Sequence, residues 1–114
     1  MGSIIFQKSF YFAIRIAKLC KYLQTEHKEY TLSRQLLRCG TSIGANVAES
    51  KHAQSRADFI SKLNIALKEA TETDYWLRLL YETNYLTKTQ FKSIFSDCDE
   101  IERLLVSIVK TTKE

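Results

Sequence analysis

Residues 36–50 read Leu-Leu-Arg-Cys-Gly-Thr-Ser-Ile-Gly-Ala-Asn-Val-Ala-Glu-Ser and predict a helix with two opposite contact faces. Helical periodicity gathers an apolar stripe on one face, made of Leu36, Gly40, Ile43, Gly44 and Val47. The opposite face carries two small residues between two opposite charges, namely Arg38, Ser42, Ala45 and Glu49. Small side chains permit close approach of another backbone, and the charges permit a cross-helix ion pair. The pattern favours self-association over the alternative, a helix buried inside one larger fold, because 114 residues leave little room for such burial.

The composition predicts a single all-α domain over residues 1–114. The chain is 45% hydrophobic and 26% charged, and it contains no proline and only three glycines, so little in it interrupts a helix. No segment approaches the run of about 18 apolar residues that a membrane span needs, and the N-terminal segment does not resemble a secretion signal. We therefore expect a cytoplasmic protein with no membrane contact.

The cysteines predict neither a disulfide framework nor a metal site. There are three of them, Cys20, Cys39 and Cys98, with no C-x-x-C pair, and the two histidines are not spaced as ligands. Cys20 and Cys98 fall on apolar stripes and are expected to be small core residues. No metal and no cofactor is expected.

Four amphipathic segments follow one another along the chain. The first is expected from about Ile4 to Thr25, centred on Phe12, Ile16, Leu19 and Leu23, with an apolar face widened by Phe6, Phe10, Ala13, Ala17 and Cys20. The second is expected to be capped by Thr31 or Ser33 and to continue to about His52.

Capping-box patterns mark the starts of the last two segments. Ser55 with Asp58 precedes the third, whose heptad seam is Phe59, Leu63, Ala66, Ala70, Thr73, Leu77, Leu80 and Asn84. A turn near Tyr85 and Leu86 should end it. Thr87 with Gln90 precedes the fourth, whose seam is Phe91, Ile94, Cys98, Ile101, Leu105 and Ile108. Four helices joined by short connections predict an up-down-up-down bundle.

A second heptad line on the third segment mixes charged and large apolar residues: Asp58, Lys62, Ile65, Glu69, Glu72 and Trp76. One alternative is a solvated charged face on which the tryptophan merely rests. The cost of exposing a tryptophan favours a partly buried contact, in which Arg38 pairs with a carboxylate. The expected oligomer interface or buried ion pairs comprise Arg38, Ser42, Ala45, Glu49, Glu69, Glu72 and Trp76, with Glu49, Glu69 or Glu72 as the partner of Arg38.

Several blocks of this sequence resemble one known family closely. They are Leu36-Leu37-Arg38, Gly40-Thr41-Ser42-Ile43-Gly44-Ala45-Asn46, Ala48-Glu49, Asp58-Phe59-Ile60, Lys62-Leu63, Ala66-Leu67-Lys68-Glu69-Ala70, Glu72-Thr73 and Tyr75-Trp76-Leu77. The family is that of the four-helix-bundle proteins encoded in intervening sequences of bacterial large-subunit ribosomal RNA genes. The resemblance implies a ring of five subunits. The family is also similar in fold to the accessory variability determinant of diversity-generating retroelements, a basic pentamer that works with a reverse transcriptase and its RNA.

A line of cations and tyrosines runs along the first segment. Lys8, Tyr11, Arg15, Lys18 and Tyr22 are spaced by three and four residues, and residues 1–25 contain no acidic side chain. Cations bind phosphates and aromatic rings accept unpaired bases, so the line is a candidate nucleic-acid-binding surface. The alternative is a solvated helix face, because a net charge of +4 is only modestly basic.

The sequence offers no catalytic signature. Gly40-Thr41-Ser42-Ile43-Gly44 is not followed by the Lys-Ser/Thr of a phosphate loop, and its GxxxG spacing suits the approach of two helices. No Glu-x-x-His pair of a di-metal bundle is present. We therefore expect a non-catalytic homo-oligomeric scaffold that binds RNA or an RNA-handling protein, the alternative being a structural protein-interaction oligomer that binds no nucleic acid.

Overall fold

Four α-helices follow one another along residues 3–113, the part of the chain that the computed structural model describes. They are α1 (Ile4–Glu26), α2 (Thr31–Ser50), α3 (Arg56–Glu82) and α4 (Lys88–Lys113). No β-strand occurs within these residues, so the all-α prediction is confirmed. Met1, Gly2 and Glu114, which the predicted single domain includes, lie outside the described residues.

Each helix packs against the helix that precedes it, and α4 returns to pack against α1. The connections are short, so neighbouring helices are antiparallel and form the predicted up-down-up-down bundle, which measures 44 × 23 × 20 Å. One end, called here the Ser3 end, holds the start of α1 and the α2/α3 connection. The other end, called the Tyr85 end, holds the α1/α2 and α3/α4 connections.

The two glycines of α2 allow α1 to lie close to it. A Cβ atom on Gly40 would lie 2.8 Å from Cγ2 of Ile16, and one on Gly44 would lie 3.3 Å from the backbone oxygen of Ser9. The GxxxG spacing thus serves a helix contact inside the chain. The apolar stripe that defines α2 is accordingly the core face.

All four helices contribute side chains to one buried core. Cys20 and Cys98 are buried in it, as predicted, and the Cys98 thiol donates to the backbone oxygen of Ala70 at 3.5 Å. Burial raises the pKa of both thiols, and neighbouring charges raise it further. These cysteines are therefore protonated packing residues in the folded chain.

Two predicted helix caps are confirmed, and the predicted cap of α2 is wrong although the helix begins at Thr31 as expected. Ser55 Oγ accepts from the Asp58 backbone N–H, and Thr87 exchanges both capping-box hydrogen bonds with Gln90. Thr31 and Ser33, however, lie inside α2 and do not cap it. The carboxylate of Glu29 accepts from the backbone N–H groups of Thr31, Leu32 and Ser33, so one acidic side chain in the connection satisfies three unpaired donors.

The seam predicted for α3 extends one step too far. Asn84 lies beyond the end of the helix, is exposed, and adopts a left-handed conformation with φ 68°. Asparagine tolerates this conformation better than most residues, so Asn84 turns the chain towards α4.

Candidate functional site

A groove with polar side chains runs along the seam between α1 and α4. Two cavities lie along it. One of 290 Å³ is lined in part by Arg15, Lys18 and Tyr22, and one of 180 Å³ in part by Lys8 and Tyr11. The structure therefore brings all five residues of the predicted stripe to one feature, the α1/α4 groove.

Helix geometry explains why the stripe borders this groove. Phe12 and Ile16 point into the core and are at most 1% exposed, and the stripe lies about a quarter turn from them on the flank of α1 that faces α4. Tyr11 is 69% exposed and Tyr22 is 38% exposed, so both rings are accessible at the edge of the groove.

Two of the three cations in the stripe are already paired with carboxylates of α4. Arg15 donates to Asp97 at 2.6 Å and to the Ser93 hydroxyl at 2.9 Å, and the Lys8 ammonium lies 3.1 Å from Glu100. Sequence reasoning missed these acidic partners. Their spacing of three residues on one flank of the α4 seam was the available signal. The groove consequently carries much less net positive charge than its cations alone suggest.

The part of the groove nearest the Tyr85 end combines an unpaired cation with packed aromatic rings. Lys18 has no salt bridge to any of residues 3–113. Tyr22 packs edge-to-face on His27, with ring centroids 5.3 Å apart, and His27 packs in the same way on Tyr85 at 5.6 Å. Four further exposed lysines belong to the helix ends and connections of the same end: Lys21, Lys28, Lys88 and Lys92. The exposed carboxylates of Glu26 and Glu82 lie at the same end but form no salt bridge with these lysines among the described residues, so unpaired cations and aromatic surface coincide here.

The predicted ion pairs of α2 form with α3 of the same chain. Arg38 donates to Glu69 at 3.3 Å and also to Glu72, and Glu72 accepts from the indole N–H of Trp76 at 3.0 Å. Glu49 does not pair with Arg38; it lies 3.2 Å from Lys62.

These ion pairs lie at the edge of the bundle. The Arg38 side chain is 51% exposed, whereas that of Glu69 is 17% exposed, so only the carboxylate side of the contact is substantially buried. Because the charges are satisfied within one chain, they do not by themselves require a second subunit.

Exposed apolar side chains flank the outer face of α2. On the α1 side, Phe10 is 55% and Ile14 is 38% exposed, and on the α3 side Ile65 is 41% exposed. Ala45 is exposed between them, and the hydroxyl of half-buried Ser42 bonds back to the Arg38 carbonyl. This surface is called here the α2 face.

The prediction that Phe10 widens the core face of α1 is wrong, because helical rotation turns this ring outward.

Among residues 3–113, no three histidine, cysteine or acidic side chains come together as metal ligands. None of the described helices is long and apolar enough to cross a membrane. The fold and the groove therefore define a small α-helical bundle protein with a polar surface groove and an α2 face on which exposed apolar side chains lie among charged ones.

The chain belongs to the family of 23S rRNA-intervening sequence proteins, whose model matches residues 2–107. A crystal structure of a protein with unknown function from the S23 ribosomal protein family of Bacteroides thetaiotaomicron is similar to it, with 58% sequence identity and a TM-score of 0.93. The match covers 94% of this chain and 99% of that protein. No curated protein matches the chain. The resemblance inferred from the sequence is thus confirmed.

Proposed function

We propose that the protein is a non-catalytic, cytoplasmic homo-oligomeric scaffold that binds RNA in the α1/α4 groove. The observation that carries this proposal is the convergence of all five stripe residues on that groove. Exposed tyrosine rings offer stacking surfaces, and Lys18, which forms no salt bridge among the described residues, attracts phosphates. The family name, which refers to the intervening sequence of 23S rRNA, fits an RNA-related role.

Self-association through the α2 face supports the scaffold part of the proposal. Exposed Phe10 and Ile65 flank a helix surface that presents Ala45, and burial of such a patch against a second copy would remove apolar area from water. Five subunits is the number that the family resemblance implies. A ring would present the groove once per subunit, so individually weak contacts with RNA would add up.

The Lys18→Glu variant tests RNA binding. Lys18 is exposed and has no ion-pair partner among the described residues, so reversing its charge should leave the fold intact. Reversal of Arg15 is less informative, because it would place a new carboxylate beside Asp97. In fluorescence anisotropy with single-stranded RNA at low salt, we expect Lys18→Glu to weaken binding about tenfold.

Lys113→Glu is the matched control. Lys113 is exposed at the end of α4, at the Ser3 end of the bundle, and its reversal changes the net charge by the same amount. We expect it to weaken binding less than about threefold, through long-range charge alone. Equal weakening by both variants, or no binding of RNA by the wild type at low salt, would refute an RNA site in the groove.

The Arg15/Asp97 and Lys8/Glu100 pairs favour a second candidate function, a protein-interaction oligomer that binds no nucleic acid. A groove of alternating charges suits a polar peptide surface as well as it suits phosphates. Under this alternative, the oligomer persists while wild-type protein fails to bind RNA. Purification from the native cell with and without nuclease separates the two candidates, because only RNA-mediated partners are lost on nuclease treatment.

A further inference from the structure

The cavity of 290 Å³ in the α1/α4 groove has accessible walls on both helices. Lys18 and Tyr22 line it from α1, and Gln90 and Ile94 line it from α4. Lys18 and Gln90 are exposed and Tyr22 is 38% exposed, so the polar and aromatic parts of the walls are open to a ligand. Leu86 and Ile94 are each 4% exposed, which places these two apolar side chains at the floor.

The volume of the cavity suits one base rather than a base pair. Drug-sized ligands occupy pockets of about 300–1,000 Å³, and this cavity lies just below that range. The bases of a duplex are held in the stack, whereas a single strand can turn a base outward into a protein pocket. An apolar floor with an aromatic wall fits the faces of such a base. The cavity therefore matches one unpaired base of a single strand.

The side chain of Gln90 holds a free donor at this cavity. Its Oε1 accepts from the Thr87 backbone N–H at 2.9 Å, and because a backbone N–H can only donate, this bond identifies the oxygen end of the amide. The Nε2 group at the other end forms no hydrogen bond with any of residues 3–113. The amide nitrogen of Gln90 is consequently available to donate to a ligand.

The charged groups of the cavity are donors as well. Lys18 has no salt-bridge partner in the described chain, and Arg15 is held by Asp97. Among residues 3–113, no carboxylate lines this cavity. Uracil, like thymine, presents a carbonyl oxygen where cytosine presents an amino group. A cavity rich in donors therefore favours uracil over cytosine.

We propose that this cavity binds an unpaired uracil base of single-stranded RNA, with a carbonyl oxygen accepting from Nε2 of Gln90 and the adjoining phosphate at Lys18. Tyr22 supplies aromatic surface beside the base. The inference rests on the proposed RNA site in the α1/α4 groove and adds base selectivity to it.

Octauridylate and octacytidylate are the probes of base selectivity. In fluorescence anisotropy with the full-length protein at low salt, octauridylate should bind about fivefold more tightly, the difference that one net hydrogen bond supplies. In a methyl-selective NMR titration, octauridylate should shift the methyl groups of half-buried Leu19, which also lines the cavity. Equal affinity for the two RNAs, or unshifted Leu19 methyl groups at saturation, would overturn the proposal.

Gln90→Glu tests the donor. Glutamate retains an oxygen for the Thr87 N–H, so the helix cap should persist, but it replaces the free donor by a carboxylate oxygen. The preference should then reverse, because a carboxylate accepts from the amino group of cytosine. The added negative charge weakens binding of both RNAs, so the measured quantity is the ratio of the two affinities.

Gln54→Glu is the matched control for this charge. Gln54 is exposed in the α2/α3 connection at the Ser3 end, so this variant should leave the ratio unchanged. The same ratio in Gln90→Glu as in wild type, or an equal change in Gln54→Glu, would show that Gln90 does not contact the base.

Gln90→Ala decides the question where the added charge makes binding too weak to measure. It removes the donor without adding charge and should bring the two affinities within about twofold of each other. Circular dichroism verifies the fold. Retention of the full preference in Gln90→Ala would refute the contact. A wild type that binds both RNAs equally through Lys18 refutes uracil selectivity alone, whereas a wild type that binds neither RNA refutes the RNA site as well.

Discussion

Arg15 of α1 and Asp97 of α4 face each other across the groove, with Nη1 and Oδ2 2.6 Å apart. Their side chains are 40% and 42% exposed, so solvent screens the pair and its contribution to stability is below about 1 kcal/mol. Its larger effect is electrostatic: Asp97 neutralises the cation nearest the middle of the proposed RNA interface.

Asp97→Asn should therefore strengthen RNA binding, because it releases Arg15 for contact with phosphate. We expect affinity for single-stranded RNA at low salt to rise about three- to fivefold, and the gain to disappear as salt is added. Asp99→Asn makes the same change in net charge at a residue paired with Arg103 and should have a smaller effect. A decrease in affinity on Asp97→Asn would indicate that Asp97 itself contacts the partner.

Gly40→Ala should destabilise the fold. The added methyl would lie 2.8 Å from Cγ2 of buried Ile16, and overpacking of this kind costs about 1–3 kcal/mol, against about 1 kcal/mol gained in helix propensity. Urea denaturation should show a net loss of about 1 kcal/mol. In an Ile16→Ala background, the same substitution should cost less, because the clashing side chain is gone. An unchanged cost in that background would contradict the proposed contact.

The stability of the protein should fall as the pH rises from about 4.5 to about 7. Burial, together with the charges of Asp74 and Asp99, raises the pKa of Glu102 from 4.5 to about 7. The folded state then holds a proton that the unfolded state releases in this range, so the contribution of Glu102 is present below pH 4.5 and is lost above pH 7.

Glu102→Gln should remove this pH dependence. Because Glu102 is only half-buried, we expect the variant to gain about 1 kcal/mol of stability relative to wild type at pH 8 and little at pH 4. Chemical denaturation at the two pH values measures the difference. Glu82→Gln, at an exposed residue, is the control. Equal stabilisation by Glu102→Gln at both pH values would refute this explanation.

Phe10→Glu should dissociate the oligomer without unfolding the subunit. Phe10 is 55% exposed on the proposed assembly surface, and a buried unpaired charge there would oppose association. Native mass spectrometry and circular dichroism measure the two properties. Val106→Glu is the matched control, since Val106 is 51% exposed on α4, away from the α2 face. A monomeric wild type, or loss of assembly in the control alone, would show that the α2 face is not the contact between subunits.

The helices could be predicted from sequence because their signals are local. Ser55 with Asp58 and Thr87 with Gln90 lie within one turn of the helix starts that they cap. The cap of α2 was missed because Glu29 lies in the connection and reaches forward to three N–H groups, a pattern outside the usual Ser/Thr cap.

The cations of the groove could be predicted from sequence, but their acidic partners on α4 could not, because those residues are distant in sequence from α1. Periodicity places Lys8 and Arg15 on one flank of α1. Which flank of α4 they face depends on the handedness of the bundle, which a periodic pattern does not encode. Asp97 and Glu100, which neutralise two of the three cations in the stripe, were therefore not identified from the sequence.

The α1/α4 seam also has a consequence for the order of folding. Contacts between α1 and α2, and between α2 and α3, join neighbours in the chain and can form early, whereas the α1/α4 contact joins its two ends. During synthesis, the first three helices leave the ribosome before α4 is complete. The groove consequently forms only when α4 docks on α1, so a chain in which α4 is absent or undocked lacks the proposed RNA interface.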